Sequence, residues 1–192
     1  MRLDLKCTVD YLPGYLMPDE AQTIFDELME LNSLTTMAVV DSPLGPLEQE
    51  FGKLSFVDLD RAGYDHAHHG NYTSWSPTMM RLREKIEATA GRAFNVCVCI
   101  YYPNGHSGVS FHSDLVSFGD TSIVPSLSLG ATRQFQFREN ATGEITSLDL
   151  KAGDLVIMGP GCQENYQHSV PLDSTCSTPR INLTFRPIGH SG

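Results

Sequence analysis

Arg180-Ile181-Asn182-Leu183-Thr184-Phe185-Arg186 closes a series of short apolar segments, and two upstream marks belong with it: His112-Ser113-Asp114 and His168. A His-x-Asp pair with a distant His supplies two imidazoles and one carboxylate, the facial set that holds non-haem Fe(II) and leaves three positions open. Residues i and i+2 of a strand project to the same face, so His112 and Asp114 can ligate one ion from one strand end while His168 arrives from another strand. Arg180 and Arg186 can then clamp a small dicarboxylate beside that ion, since guanidinium groups make bidentate, charge-assisted pairs with carboxylates. The dicarboxylate that suits such iron is 2-oxoglutarate. The competing readings are a chance His-x-Asp and two arginines in ordinary ion pairs.

Outward from this stretch the chain reads as strands. Asn95 to Tyr102 is an apolar run closed by Pro103-Asn104-Gly105, and Val124–Leu129, Gln134–Arg138, Ile145–Leu150 and Asp154–Met158 follow between Gly, Asn and Thr signals. Ile181–Phe185 ends the series. So many short strands at such spacing predict a sandwich or jelly roll.

Before Phe94 the pattern is helical. Pro18-Asp19-Glu20 has the proline and early acids of a helix start, followed by Ile24, Phe25, Leu28 and Leu31 on one face. Ser76-Pro77 predicts an N-cap and first helical residue, Met79, Leu82 and Ile86 form the apolar stripe, and Gly91 ends the helix. Both stripes are expected to pack on one sheet. The fold class is therefore α+β and mainly β, a jelly roll with N-terminal helices. Between the helices, residues 33–75 carry scattered Pro, Gly and aromatic residues and read as an irregular lid or hairpin rather than a separate domain.

Composition bounds the rest. A chain of 192 residues with 41% hydrophobic and 19% charged residues is long enough for one domain with a sizeable core, and disorder is not expected. The first twenty residues hold no apolar stretch of secretory type, and no run of about 18 apolar residues occurs. We expect a cytoplasmic protein without membrane partners. Five cysteines without a regular framework suit reduced thiols, and Cys97 and Cys99 share a strand face as core residues. Of the net charge of −10, residues 1–65 carry −9, so nothing in the balance supports tight, non-specific nucleic-acid binding.

On these motifs the chain resembles the AlkB family of Fe(II)/2-oxoglutarate dioxygenases. His112-Ser-Asp114, His168 and Arg180-Ile-Asn182-Leu-Thr184-Phe185-Arg186 stand in that family's order, and the similarity extends through Ser126-Leu-Ser-Leu-Gly130-Ala-Thr-Arg133 and Pro171, over roughly residues 76–188. The resemblance implies a double-stranded β-helix in which His112, Asp114 and His168 bind Fe(II). It implies that Arg180, Arg186, Asn182 and Tyr102 bind 2-oxoglutarate, with O₂ as the other co-substrate. The implied reaction is oxidative demethylation of N-alkylated nucleobases in single-stranded DNA or RNA, with release of formaldehyde, succinate and CO₂.

Two departures qualify it. Ile100-Tyr101-Tyr102 stands where many members read Asn-x-Tyr, so one amide expected on the co-substrate is missing. Leu115-Val116-Ser117 stands where repair members carry acids suited to a cationic methylated base. The same chemistry on a small metabolite or protein side chain is therefore a second expectation, and a non-catalytic binding module a third. Tyr64, Tyr72 and Trp75 are candidates to stack on an exposed base, with core packing as the alternative use. His66, His68 and His69 read as an exposed loop rather than a second metal site, and Arg133 as the partner of a neighbouring acid or a support for the co-substrate pocket.

Overall fold

The computed structural model describes residues 1–37, 39–42, 45–48, 51–58, 71–114 and 120–187. The strands are β1 (Val9–Leu12), β2 (Val39–Ser42), β3 (Gly45–Glu48), β4 (Gly52–Val57), β5 (Tyr72–Thr73), β6 (Val96–Tyr102) and β7 (Val109–His112). They continue as β8 (Val124–Gly130), β9 (Arg133–Glu139), β10 (Ile145–Leu150), β11 (Leu155–Met158), β12 (Tyr166–Val170) and β13 (Arg180–Arg186). The helices are α1 (Pro18–Met29), α2 (Asn32–Thr35), α3 (Pro77–Ala90) and α4 (Cys162–Asn165).

A seven-stranded sheet runs in the order β1-β11-β8-β13-β6-β4-β5, and a four-stranded sheet in the order β10-β9-β12-β7. Pairing is antiparallel except between β4 and β5. A third pair, β2 with β3, is a separate antiparallel ladder.

Period two along the central strands separates two cores. On β13, Ile181, Leu183 and Phe185 point to one side; on β6, Cys97 and Cys99; on β8, Leu127 and Leu129. These pack with Ala21, Ile24 and Leu28 of α1, Leu34 of α2, and Met79, Leu82 and Ile86 of α3. The helical stripes thus cover one face of the larger sheet, as their spacing predicts. On the other face Tyr102, Val124, Val156 and Met158 meet Phe135, Phe137, Leu150, Tyr166 and Val170 of the smaller sheet.

The ends of α3 follow its sequence signals. The Ser76 hydroxyl accepts the Met79 N–H at 3.2 Å, and Gly91 takes φ 68°, where its N–H reaches the Glu87 carbonyl at 2.9 Å. Cys97 and Cys99 are fully buried with Sγ atoms 4.0 Å apart, in keeping with a packing role.

Residues 33–75 are more regular than their composition suggests. Within them α2 forms a short helix, and β4 is an inner strand of the larger sheet, hydrogen-bonded to β6 and β5. Leu54 and Phe56 alternate into the helix-side core, a two-residue signal too short to stand out between glycines. His66, His68 and His69 lie outside the described residues. Among the described residues no helix is long and apolar enough to cross a membrane.

Candidate active site

The antiparallel pairing of β12 with β7 sets His168 directly opposite His112. Their ring centroids are 4.3 Å apart, and Asp114 follows two residues past His112. One ligand atom from each of the three lies within 4.8 Å of the others. His112, Asp114 and His168 are therefore brought together.

Each side chain is held in a usable form. The His112 Nδ1 is 2.8 Å from the Ser110 carbonyl, which can only accept, so that nitrogen carries a proton and Nε2 is the ring atom left to face a metal. Burial lowers the His168 pKa to about 4, against the opposing pull of Asp114, so this imidazole is neutral near pH 7. Phe135 stacks on it with centroids 5.5 Å apart. Asp114 receives Arg186 Nη2 at 2.5 Å, and its Oδ1 is 3.8 Å from His168 Nε2. Gln163 adds contacts to Asp114 at its backbone N–H, 2.8 Å, and at Oδ2, 3.4 Å. Two imidazoles and one carboxylate suit a ferrous ion, with room left for other ligands.

These groups open on a cavity of about 300 Å³ between the two sheets, within the range of small-molecule sites. Tyr102, Asn182, Thr184 and Arg186 line it together with His112, Asp114 and His168, while Ile100, Val109, Phe135, Met158 and Val170 supply an apolar wall. The β13 residues reach it because Arg180, Asn182, Thr184 and Arg186 share the strand face opposite Ile181, Leu183 and Phe185.

Arg180 lies behind that wall, 1% exposed. Its register partners are Tyr102 on β6 and Gly130 on β8, and its guanidinium carbon is 5.3 Å from the Tyr102 ring centre. Nη2 donates to Ser128 Oγ and Asn182 Oδ1, both at 2.9 Å. Nε and Nη1 are buried without a hydrogen-bond partner among the described residues. Burial pushes its pKa down, and Tyr102 opposes that shift. Buried donors left without acceptors are costly, and an anion is the ligand that would satisfy them.

The other expected residues are placed differently. Trp75 packs in the helix-side core, 5.9 Å from Phe56 and 6.4 Å from Phe185 between ring centroids, with Arg83 4.6 Å over its ring. That is the sheet face away from the cavity, so its large apolar surface serves packing. Tyr72 is 40% exposed on β5, paired in register with Ser55. Tyr64 and Leu115-Val116-Ser117 lie outside the described residues. Among the described residues Arg133 pairs with no acid, and it does not line the cavity. It donates to the backbone carbonyls of Asn104, Ser107 and Pro171, tying the loop before β7 to the loop after β12.

Reading the sequence alone missed Gln163, Lys53, and Ser126 and Ser128. The serines left a legible trace, alternating with Pro125, Leu127 and Leu129 in a strand that is otherwise apolar. Gln163 left none, because it reaches Asp114 from a four-residue helix 49 positions away.

Residues 8–186 match the 2OG-Fe(II) oxygenase superfamily. The chain belongs to that superfamily, in its AlkB-like branch. Among similar proteins, the alpha-ketoglutarate-dependent dioxygenase alkB homolog 3 of Bos taurus is 38% identical over 124 residues, covering 59% of this chain and 43% of the relative. The DNA oxidative demethylase ALKBH2 of Mus musculus is 30% identical over 187 residues, 88% of this chain and 75% of the relative. The chain thus spans less than half the length of the alkB homolog 3 proteins it matches. A solved structure, that of OsALKBH1, shares the fold with a TM-score of 0.67 at 16% identity, covering 96% of this chain and all of that one.

Proposed function

We propose that this AlkB-like chain is an Fe(II)- and 2-oxoglutarate-dependent dioxygenase that oxidatively demethylates N-alkylated nucleobases in DNA or RNA. Its two sheets form a double-stranded β-helix, a jelly roll, within one domain spanning residues 1–192. The parts of residues 33–75 outside α2, β4, β5 and Trp75 serve as the substrate lid, and the protein works in the cytoplasm.

His112, Asp114 and His168 hold the iron. Arg180, Asn182, Tyr102 and Arg186 hold 2-oxoglutarate, and Tyr72 with Tyr64 meets the base. With 2-oxoglutarate and O₂, bound iron supplies the oxidising power: one oxygen atom enters succinate as CO₂ leaves, and the other enters the C–H bond of an N-methyl group, which departs as formaldehyde. The protein's share is positioning. Arg186 and Gln163 fix the Asp114 carboxylate, the Ser110 carbonyl fixes the His112 tautomer, and Ile100, Phe135, Met158 and Val170 keep the cavity wall dry.

The observation that carries this reading is the clustering of the three ligand atoms within 4.8 Å at a cavity backed by a buried arginine with unpartnered donors. The names of the similar proteins, dioxygenase and DNA oxidative demethylase, point to the same chemistry. The test incubates the chain with Fe(II), 2-oxoglutarate and a panel of methylated single-stranded DNA and RNA oligonucleotides. Formaldehyde and succinate should appear in equal amounts as the methylated base disappears. Succinate with every oligonucleotide intact would move the substrate to a metabolite or protein side chain, and no succinate at all would leave a binding module.

A further inference from the structure

The two sheets carry their cavity residues in the same order. On the smaller sheet His168 of β12 stands opposite His112 of β7, and beyond a register shift Val170 stands opposite Val109. On β9 the same face runs from Phe137, level with His168, through Phe135 to Arg133, whose charge acts on both Tyr102 and Arg180. On the larger sheet Arg186, near one end of the cavity, holds Asp114; the register pair Asn182 and Ile100 comes next, and the pair Arg180 and Tyr102 lies furthest from Asp114. The cavity is thus tiered: His112, Asp114 and His168 at one end, Ile100 with Val109, Phe135 and Val170 in the middle, and Tyr102 with Arg180 at the other end.

The middle tier is apolar on both walls. Ile100 and Val109 are half-buried, Phe135 and Val170 are buried, and all four line the cavity within one core cluster. The Asn182 amide beside Ile100 is engaged by Ser126, Arg180 and Thr184. A ligand that reaches from the histidines and Asp114 to Arg180 therefore needs polar ends and an apolar middle. A hydroxyl carried on that middle would lose its water and gain no partner from these four side chains.

We propose that Ile100 is a specificity-determining residue: with Val109, Phe135 and Val170 it clamps the two methylenes of 2-oxoglutarate and excludes 2-oxo diacids that carry a hydroxyl between their ends. The assignment rests on the proposed function and deepens it. An amide at position 100 would supply a hydrogen-bonding partner at this level of the cavity. Isoleucine presents hydrocarbon instead, so binding there follows apolar contact.

The test uses the full chain loaded with Mn(II), which binds without turnover, and titrates 2-oxoglutarate and 4-hydroxy-2-oxoglutarate by calorimetry. Wild type should bind the hydroxylated acid about 10- to 100-fold more weakly, the penalty that an apolar site imposes on an added hydroxyl. Ile100→Asn should narrow that gap to about threefold or less by giving the hydroxyl a partner, whereas Ile100→Val should keep it. A merely structural isoleucine would change both affinities alike and leave their ratio unmoved. Val170→Thr places a hydroxyl on the opposite wall at nearly constant volume and should also narrow the gap, so it decides the matter if Ile100→Asn does not fold. If wild type binds both acids equally, or folded Ile100→Asn keeps the wild-type ratio, this assignment fails and the proposed function stands. A wild type that binds Mn(II) but neither acid overturns both.

Discussion

Gln163 grips Asp114 with both ends of its amide: Oε1 accepts the Asp114 backbone N–H at 2.8 Å, and Nε2 faces Oδ2 at 3.4 Å. The carboxylate is thereby oriented from the side opposite Arg186, and its main chain is pinned just past the end of β7. Groups behind metal ligands commonly set affinity by 10- to 100-fold. Gln163→Leu should lower Mn(II) affinity by about that factor in a calorimetric titration, with little change in melting temperature because Gln163 is only partly buried. Unchanged affinity would reduce Gln163 to a surface contact.

Arg180 presents an opposite balance between stability and binding. It is buried with two donors unpartnered, so the apoprotein bears a desolvation penalty that its bonds to Ser128 and Asn182 offset only in part. Arg180→Met keeps the volume and removes the charge. We expect an apoprotein melting temperature equal to or above wild type, together with loss of the upward shift that 2-oxoglutarate gives the Mn(II)-loaded protein. A large fall in apoprotein stability would mean that Arg180 is held for structure alone.

How far the sequence reveals this molecule depends on how local the signal is. The six strands expected from Asn95 onward are each present to within about two residues, because alternation and turn residues act over a few positions. α1 and α3 were legible from their prolines, stripes and, for α3, the Ser76 and Gly91 ends. The three clustered side chains were legible as residue types, since His-x-Asp encodes its own spacing. Trp75 was ambiguous, and only the fold shows it stacked near Phe185 on the helix side. Arg133 misled because an arginine satisfied by three carbonyls looks, in sequence, like one awaiting an acid. β4 and its Lys53 were hidden for a different reason: the strand is short, flanked by glycines, and joins the sheet through β6, more than 40 residues later.

Acid should loosen the apoprotein through His168. Its folded pKa is about 4, below the ordinary 6.5, so between these values the unfolded chain binds a proton that the folded chain refuses. The contribution of His168 to stability is complete above pH 6.5 and is lost as pH falls toward 4. Melting temperatures of metal-free wild type should therefore decline across that window more steeply than those of His168→Gln, whose side chain does not titrate. Parallel curves for the two proteins would show that burial does not hold this imidazole neutral.

Gly52 tests the larger sheet independently of the metal ligands. A Cβ built there would lie 1.8 Å from the Leu34 carbonyl oxygen and 3.4 Å from Tyr101 Cβ, so α2 sits directly against the backbone of β4. Gly52→Ala must push the two apart, and overpacking of this kind costs about 1–3 kcal/mol, or more where backbone is the obstacle. At about 2–4 °C per kcal/mol for a chain of this size, the melting temperature should fall by several degrees. Displacing β4 also disturbs β6, its neighbour in the sheet, which carries Tyr102 to the cavity. His112 and His168 belong to the smaller sheet and keep their places, so Mn(II) affinity should survive while 2-oxoglutarate affinity drops. Equal loss of both would show that the two sheets do not move separately, and the metal site would then depend on β4 as much as on β7 and β12.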